Sequence, residues 1–304
     1  MTTPELSQIE EPVRNPERRG VKKGLYLIPS VFTAANIGMG FYAVMAAARG
    51  FQFVGTGAAQ DLVHASSYLD NAAMAIGWAV LFDMLDGRIA RMTKTTTEIG
   101  VQLDSIADVV TFGLAPAVLA YVWGYGATLS EGSDLHRLAW FLSFMYLMCG
   151  AFRLARFNVQ SSRPRILAEG TIKVDKKSFV GLPIPVAGGL IAAIIHFNPL
   201  PLISYGADRA RLYSMLLMLL VGFLSVLMVS TLRFSSFKTV GTRRRSMRTI
   251  MVVVAVGMLI FLYSRYVLLA LVSFYILHGL LSRVIGVFRK RPEVGESLVE
   301  EKQA

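Results

Sequence analysis

Eight stretches of the chain are apolar over lengths close to the roughly 20 residues that a helix needs to cross a bilayer: 25–48, 72–92, 99–124, 137–157, 179–197, 211–231, 249–264 and 266–287. A chain with that pattern satisfies its backbone in lipid by forming helices. The expectation is therefore an all-α polytopic membrane protein of about eight transmembrane helices. The seventh and eighth stretches meet at "YSRYV" around Arg265, which leaves room only for a short hairpin. "GLPIP" at 181–185 places two prolines at the start of the fifth, where a helix's first turn tolerates them. Residues 1–23 are polar, lack the apolar core of a signal peptide, and read as a disordered cytoplasmic arm. Residues 24–288 form the transmembrane domain, with a long polar loop at 158–178, and 289–304 read as a cytoplasmic tail.

Charge then orients the helices. Basic residues gather at alternating junctions: "RRGVKK" before the first span, Arg88, Arg91 and Lys94 after the second, "RPR" and "KVDKK" after the fourth, "RFSSFKTVGTRRRSMR" after the sixth and "RKRPE" after the eighth. By the positive-inside rule both termini face the cytoplasm, as does the turn joining spans two and three, in a cell (inner) membrane. The formal charge of +11 belongs to this topology and to anionic lipid. Because the cations flank apolar spans and cover no soluble face, no nucleic-acid partner is expected. The single cysteine, Cys149, cannot close an intrachain disulfide, and His64, His136, His196 and His278 are too scattered to form a metal-binding spacing.

Only 17% of residues are charged in a chain that is 54% hydrophobic, so acids inside the spans stand out. Asp83 and Asp86 are three apart in the second span, and Asp104 and Asp108 four apart in the third; each spacing puts its pair on one helical face. Joined by the short polar turn "TKTTTE", antiparallel neighbours would bring all four carboxylates together just inside the cytoplasmic interface. Four acids so placed repel one another unless cations sit among them. An oxygen-only donor set with no His or Cys selects Mg2+ or Mn2+ over zinc, and four carboxylates suffice for two ions sharing ligands. Gly87, Ala90 and Gly100 leave space for a bulky phosphate or base, and Arg91 can pair with phosphate oxygens. A lone intramembrane Asp would serve equally well as a partner for Arg or as a proton relay in a transporter. That reading leaves the Gly, Ala and Arg positions without a role.

The run Asp83-x2-Asp86-Gly87-x2-Ala90-Arg91-x8-Gly100-x3-Asp104-x3-Asp108 resembles, at every position, the signature of the CDP-alcohol phosphatidyltransferase family. The resemblance implies a helical membrane enzyme, usually a homodimer, with a six-helix core, here followed by two further C-terminal helices. Such an enzyme displaces CMP from a CDP-linked lipid with an alcohol. It further implies that Asp83, Asp86, Asp104 and Asp108 hold two metal ions, Mg2+ or Mn2+, and that Asp108 is also the general base. Gly87, Ala90, Arg91 and Gly100 correspond to contacts with the CDP-lipid, Thr97 to a position that often adds a hydroxyl, and Thr33 and Asn36 to a place that meets the nucleotide. Helix packing is the plain alternative for Thr33 and Asn36.

The signature leaves the alcohol open. "DSIADVVTFGLAPA" (104–117), "FRLARFNV" (152–159), "FVGLPIP" (179–185) and "STLRFSSFK" (230–238) resemble the phosphatidylserine synthase branch of that family, which implies CDP-diacylglycerol and L-serine as substrates. Arg153 and Arg156, three apart at the cytoplasmic end of the fourth span, would clamp serine's carboxylate. They would equally clamp the phosphate of glycerol 3-phosphate, the acceptor of a phosphatidylglycerophosphate synthase, or simply anchor the helix end. A cation- or proton-coupled transporter is the reading from a different class; it would release no CMP.

Overall fold

The computed structural model describes residues 17–93, 98–162, 178–235 and 247–288. Helix α1 spans Glu17–Val54 and α2 Ala59–Thr93. Next comes a continuous helical rod from Glu98 to Tyr125: α3 (Glu98–Asp108), a π-helical turn (Val109–Leu114), α4 (Ala115–Ala120) and a second π-helical turn (Tyr121–Tyr125). Beyond it lie α5 (Asp134–Ser162), α6 (Ile184–Phe197), α7 (Ala207–Val229) and α8 (Met247–Phe288). Strands β1 (Ser178–Val180) and β2 (Arg233–Ser235) pair antiparallel, Phe179 opposite Phe234.

The protein is a polytopic helical membrane protein. Among the described residues, five segments are long and apolar enough to cross a bilayer: Val31–Val54, Ile99–Tyr125, Asp134–Val159, Ala207–Val229 and Gly257–Leu281; Ile184–Phe197 is a shorter apolar helix. Helix α2, the expected second span, is absent from these five because Asp70, Asp83 and Asp86 interrupt its apolar run. Part of the expected N-terminal arm is helical, since α1 begins at Glu17; residues 1–16 and the tail 289–304 lie outside the described residues, as does most of the loop 158–178. Where a short hairpin was expected at "YSRYV", α8 instead bends at a single residue, Tyr263 (φ −133°, ψ 44°), and one apolar segment, Gly257–Leu281, runs across it.

Helices α1 and α2 pack along matching stripes. On α1 the buried positions run Thr33, Asn36, Gly40, Ala43, Ala47, Gly50 and Val54; on α2 they run Ala65, Leu69, Ala72, Ile76, Ala79 and then Asp86, with half-buried Asp83 between. Alternating steps of three and four residues keep each stripe on the side facing the partner, as in a coiled coil. Small residues let the backbones approach, the means by which helices associate where lipid removes the hydrophobic drive. At one end the stripes change from Ala and Gly to Thr, Asn and Asp. The catalytic-looking residues are thus the polar continuation of the packing seam.

At the opposite end of the bundle, His196 at the end of α6 hydrogen-bonds through Nδ1 to Asp70 Oδ1 (2.6 Å) and through Nε2 to Ser264 Oγ (2.9 Å). Arg265 Nη2 donates to the other Asp70 oxygen (3.4 Å). The network satisfies the half-buried Asp70 and ties α8 to α2 and α6 directly beside the Tyr263 bend.

Candidate active site

Asp83, Asp104 and Asp108 each direct a carboxylate oxygen to a common place, the three atoms lying within 4.8 Å of one another. Asp83 comes from the α2 stripe, and the other two from α3. Asp86, expected to converge with them, instead accepts a hydrogen bond from the hydroxyl of Thr33 on α1 and is buried. It still lies near enough to Asp104 for their charges to repel. The four acids therefore form a cluster of three with Asp86 beside it, held by α1.

The backbone immediately after Asp108 fixes that residue's position. The chain passes at Val109 into the π-helical turn, and π-turns inside α-helices are frequent at functional sites. Two hydroxyls clamp that turn: Thr111 Oγ1 donates to the Asn36 carbonyl (3.0 Å) and Tyr146 Oη to the Phe112 carbonyl (3.1 Å). Gly40 is required here, because a Cβ would stand 2.8 Å from Thr111 Cα. Asn36 then lies beside the Asp108 carboxylate, with its side-chain amide directed toward it.

The two arginines of α5 have different neighbours. Arg153 is buried and faces Asp108, with Tyr275 of α8 nearby. Arg156 turns to the end of α7, where Nη1 donates to Val229 O (3.2 Å) and Nη2 to Ser230 O (3.5 Å), carbonyls the helix leaves without intrahelical donors. Their three-residue spacing puts both on one face of α5, and their charges still act on one another. Beside Arg156, Gly181 takes φ +83°, its N–H donates to Leu232 O (2.7 Å), and a Cβ there would stand 2.3 Å from Met228 O.

Gly87 near the end of α2 and Gly100 in the first turn of α3 are exposed, so the approach to the acids is open at those positions. Ala90 and Arg91 belong to α2, their side chains outside the described residues; Thr97 lies outside them altogether. Sequence reasoning missed Thr111 and Tyr146, and also Asn158, whose Nδ2 donates to Ser105 Oγ (2.8 Å) next to Asp104. Asn158 stands inside the quoted "FRLARFNV", so that motif already contained it.

The donor set fits a hard divalent cation. It offers carboxylate oxygens alone, and one oxygen of Asp108 is buried with no partner from the protein. A helical bundle that keeps such a cluster at one end of its lipid-crossing core offers a place where a divalent cation could meet a polar group.

A model of the CDP-alcohol phosphatidyltransferase family matches residues 26–224. The chain is also 31% identical over 258 residues to the CDP-diacylglycerol–serine O-phosphatidyltransferase of Helicobacter pylori, covering 84% of this chain and 91% of that protein. The enzymes of the same name from Saccharomyces cerevisiae (30%; 64% of this chain, 63% of the relative) and Bacillus subtilis (30%; 58% and 82%) are similar too. This chain belongs to the CDP-alcohol phosphatidyltransferase family.

Proposed function

We propose that the protein transfers the phosphatidyl group of CDP-diacylglycerol to the hydroxyl of L-serine, forming phosphatidylserine and releasing CMP. The carrying observation is the cluster of Asp83, Asp104 and Asp108 with the buried Arg153 facing Asp108. The relatives' names support serine as the acceptor. The lipid's tails stay in the bilayer, with its diphosphate at the polar end of the α1–α2 seam. Arg91 binds phosphate, and Gly87, Ala90 and Gly100 give the nucleotide room. Thr97 and Thr33 lie on the nucleotide side, Thr33 fixing the carboxylate of Asp86.

Asp83, Asp86, Asp104 and Asp108 would hold two Mg2+ or Mn2+ ions, which when bound neutralise the diphosphate and polarise the lipid-side phosphorus. Asp108 accepts the proton of the serine hydroxyl as that oxygen attacks phosphorus. The bond from phosphorus to the CMP oxygen breaks in line, and CMP leaves with the electron pair. Arg153 holds the serine carboxylate and Arg156 braces the wall behind it. The site and both termini face the cytoplasm of an inner membrane, and the working unit is a homodimer.

The test uses membranes containing the protein, with CDP-diacylglycerol and either L-serine or glycerol 3-phosphate, scored for CMP and lipid product. CMP and phosphatidylserine with serine are expected. CMP release with glycerol 3-phosphate alone overturns the acceptor, and no CMP with either alcohol overturns the chemistry.

A further inference from the structure

Among the described residues, five buried side-chain N or O atoms find no hydrogen-bond partner, and four of them lie together: Nδ2 and Oδ1 of Asn36, Oδ1 of Asp108 and Nε of Arg153. The residues come from α1, α3 and α5 and are 1%, 8% and 8% exposed, so bulk water does not satisfy them. Their meeting is fixed by the backbone. The Thr111 hydroxyl holds the Asn36 carbonyl, and Gly40 lets α1 lie against the π-turn. Asn36 is thereby set against Asp108, and Arg153 faces Asp108 from α5. One turn earlier on α1, Thr33 is already committed to Asp86. Helix α1 therefore divides its two polar side chains between the two halves of the site.

An amide buried without partners costs free energy that Ala or Leu at the same place on a helix seam would not. A ligand supplying the missing partners offsets that cost, and the atoms state what it must offer. Arg153 Nε needs an anionic acceptor. Asp108 Oδ1 can take a cation or a hydroxyl or ammonium donor. Asn36 needs one acceptor and one donor at once. A small zwitterion bearing a hydroxyl meets all of these. A phosphate alcohol would instead bring about two negative charges at neutral pH toward Asp108 and offer no cation to Asn36 Oδ1.

We propose that Asn36 belongs to the acceptor subsite, where with Arg153 and Asp108 it selects an amino-acid alcohol over a phosphate alcohol. This moves Asn36 away from the nucleotide side, where the family resemblance had put it. The inference rests on the proposed transferase reading and deepens it.

The experiment compares wild type, Asn36→Ala and Asn36→Asp, full-length in lipid nanodiscs, measuring CMP release with L-serine and CDP-diacylglycerol varied separately. CMP binding in the presence of Mn2+ is measured by calorimetry. Both variants should raise the serine KM about tenfold or more, as expected for lost hydrogen bonds to charged groups. The CDP-diacylglycerol KM and the CMP affinity should stay within about twofold of wild type. Retained CMP binding also reports that the variant is folded. If Asn36→Ala does not fold, the similarly sized Asn36→Asp carries the test, because its new charge repels the serine carboxylate. The inference is overturned if CMP affinity or the lipid KM worsens while the serine KM holds, or if both KM values stay at wild type. A wild-type protein that releases no CMP with serine overturns the proposed function itself, before any variant is compared.

Discussion

Asp108→Asn separates the charge of the cluster from its shape. The substitution keeps size and one oxygen ligand while removing a negative charge that lies within 4.8 Å of the nearest oxygens of Asp83 and Asp104. Two unit charges 4.8 Å apart repel by about 3.5 kcal/mol at an effective dielectric constant of 20, part of which screening and protonation relieve. Without divalent cation the variant should be the more stable protein, melting a few degrees above wild type in EDTA. Millimolar Mn2+ should reverse the order. Wild type gains binding free energy on saturation, about 2.7 kcal/mol at a hundred times Kd, and a site with one charge fewer gains less. CMP release with serine should fall by about 10²- to 10⁴-fold, the usual contribution of a positioned base. Differential scanning fluorimetry in EDTA and in Mn2+, with the CMP assay, reads all three effects. A variant that melts below wild type in EDTA, shows the same Mn2+ shift, and turns over within tenfold of wild type would refute both the shared-charge and the base assignments.

Gly181→Ala should destabilise the joint between α6 and α7 by about 3 kcal/mol or more, combining a left-handed backbone with a Cβ set 2.3 Å from the Met228 carbonyl; an unchanged melting temperature would contradict it. Thr33→Val removes the hydroxyl that Asp86 accepts from. It should cost about 1–2 kcal/mol and raise the Mn2+ concentration needed for half-maximal CMP release, whereas an unaltered metal titration would place Asp86 outside the site. His196→Leu strips Asp70 and Ser264 of a shared partner. It should speed protease cleavage near the Tyr263 bend while leaving the serine KM unchanged, and a raised serine KM with normal cleavage would argue against a purely tethering role.

The chain's hydrophobic pattern located every helix that carries a site residue, because membrane spans and their acids are both set by local composition. Asp83, Asp104 and Asp108 were readable from spacing alone, since three- and four-residue steps map directly onto a helix face. Asp86 was placed on the right face but not with its partner, because Thr33 is 53 residues away in sequence. The partners of Arg156 were hidden for a related reason: spacing fixes where its Cα sits, while the carbonyls it meets, of Val229 and Ser230, lie more than 70 residues away. The π-turn after Asp108 depends on hydroxyls from α5 and within the turn itself acting on distant backbone, so no local pattern announces it. Asp70 escaped the sequence reading because it falls just before the expected second span at 72–92, and its partners His196 and Arg265 are 126 and 195 residues away.

The shared stripe of α1 and α2 has a consequence for how the gene can change. The packing residues and the acids sit on one uninterrupted helical phase, from Ala65 to Asp86 on α2 and from Val54 back to Thr33 on α1. Adding or deleting a single codon between Ala72 and Asp83 would swing the carboxylates by about 100° around the helix, away from Asp104 and Asp108, even if every apolar contact on one side of the change survived. A seven-codon insertion would nearly restore the angle but displace the acids by about 10 Å along the axis. Length within these two helices is therefore constrained by the reaction itself, whereas the turn at 55–58 between them is free to drift in length.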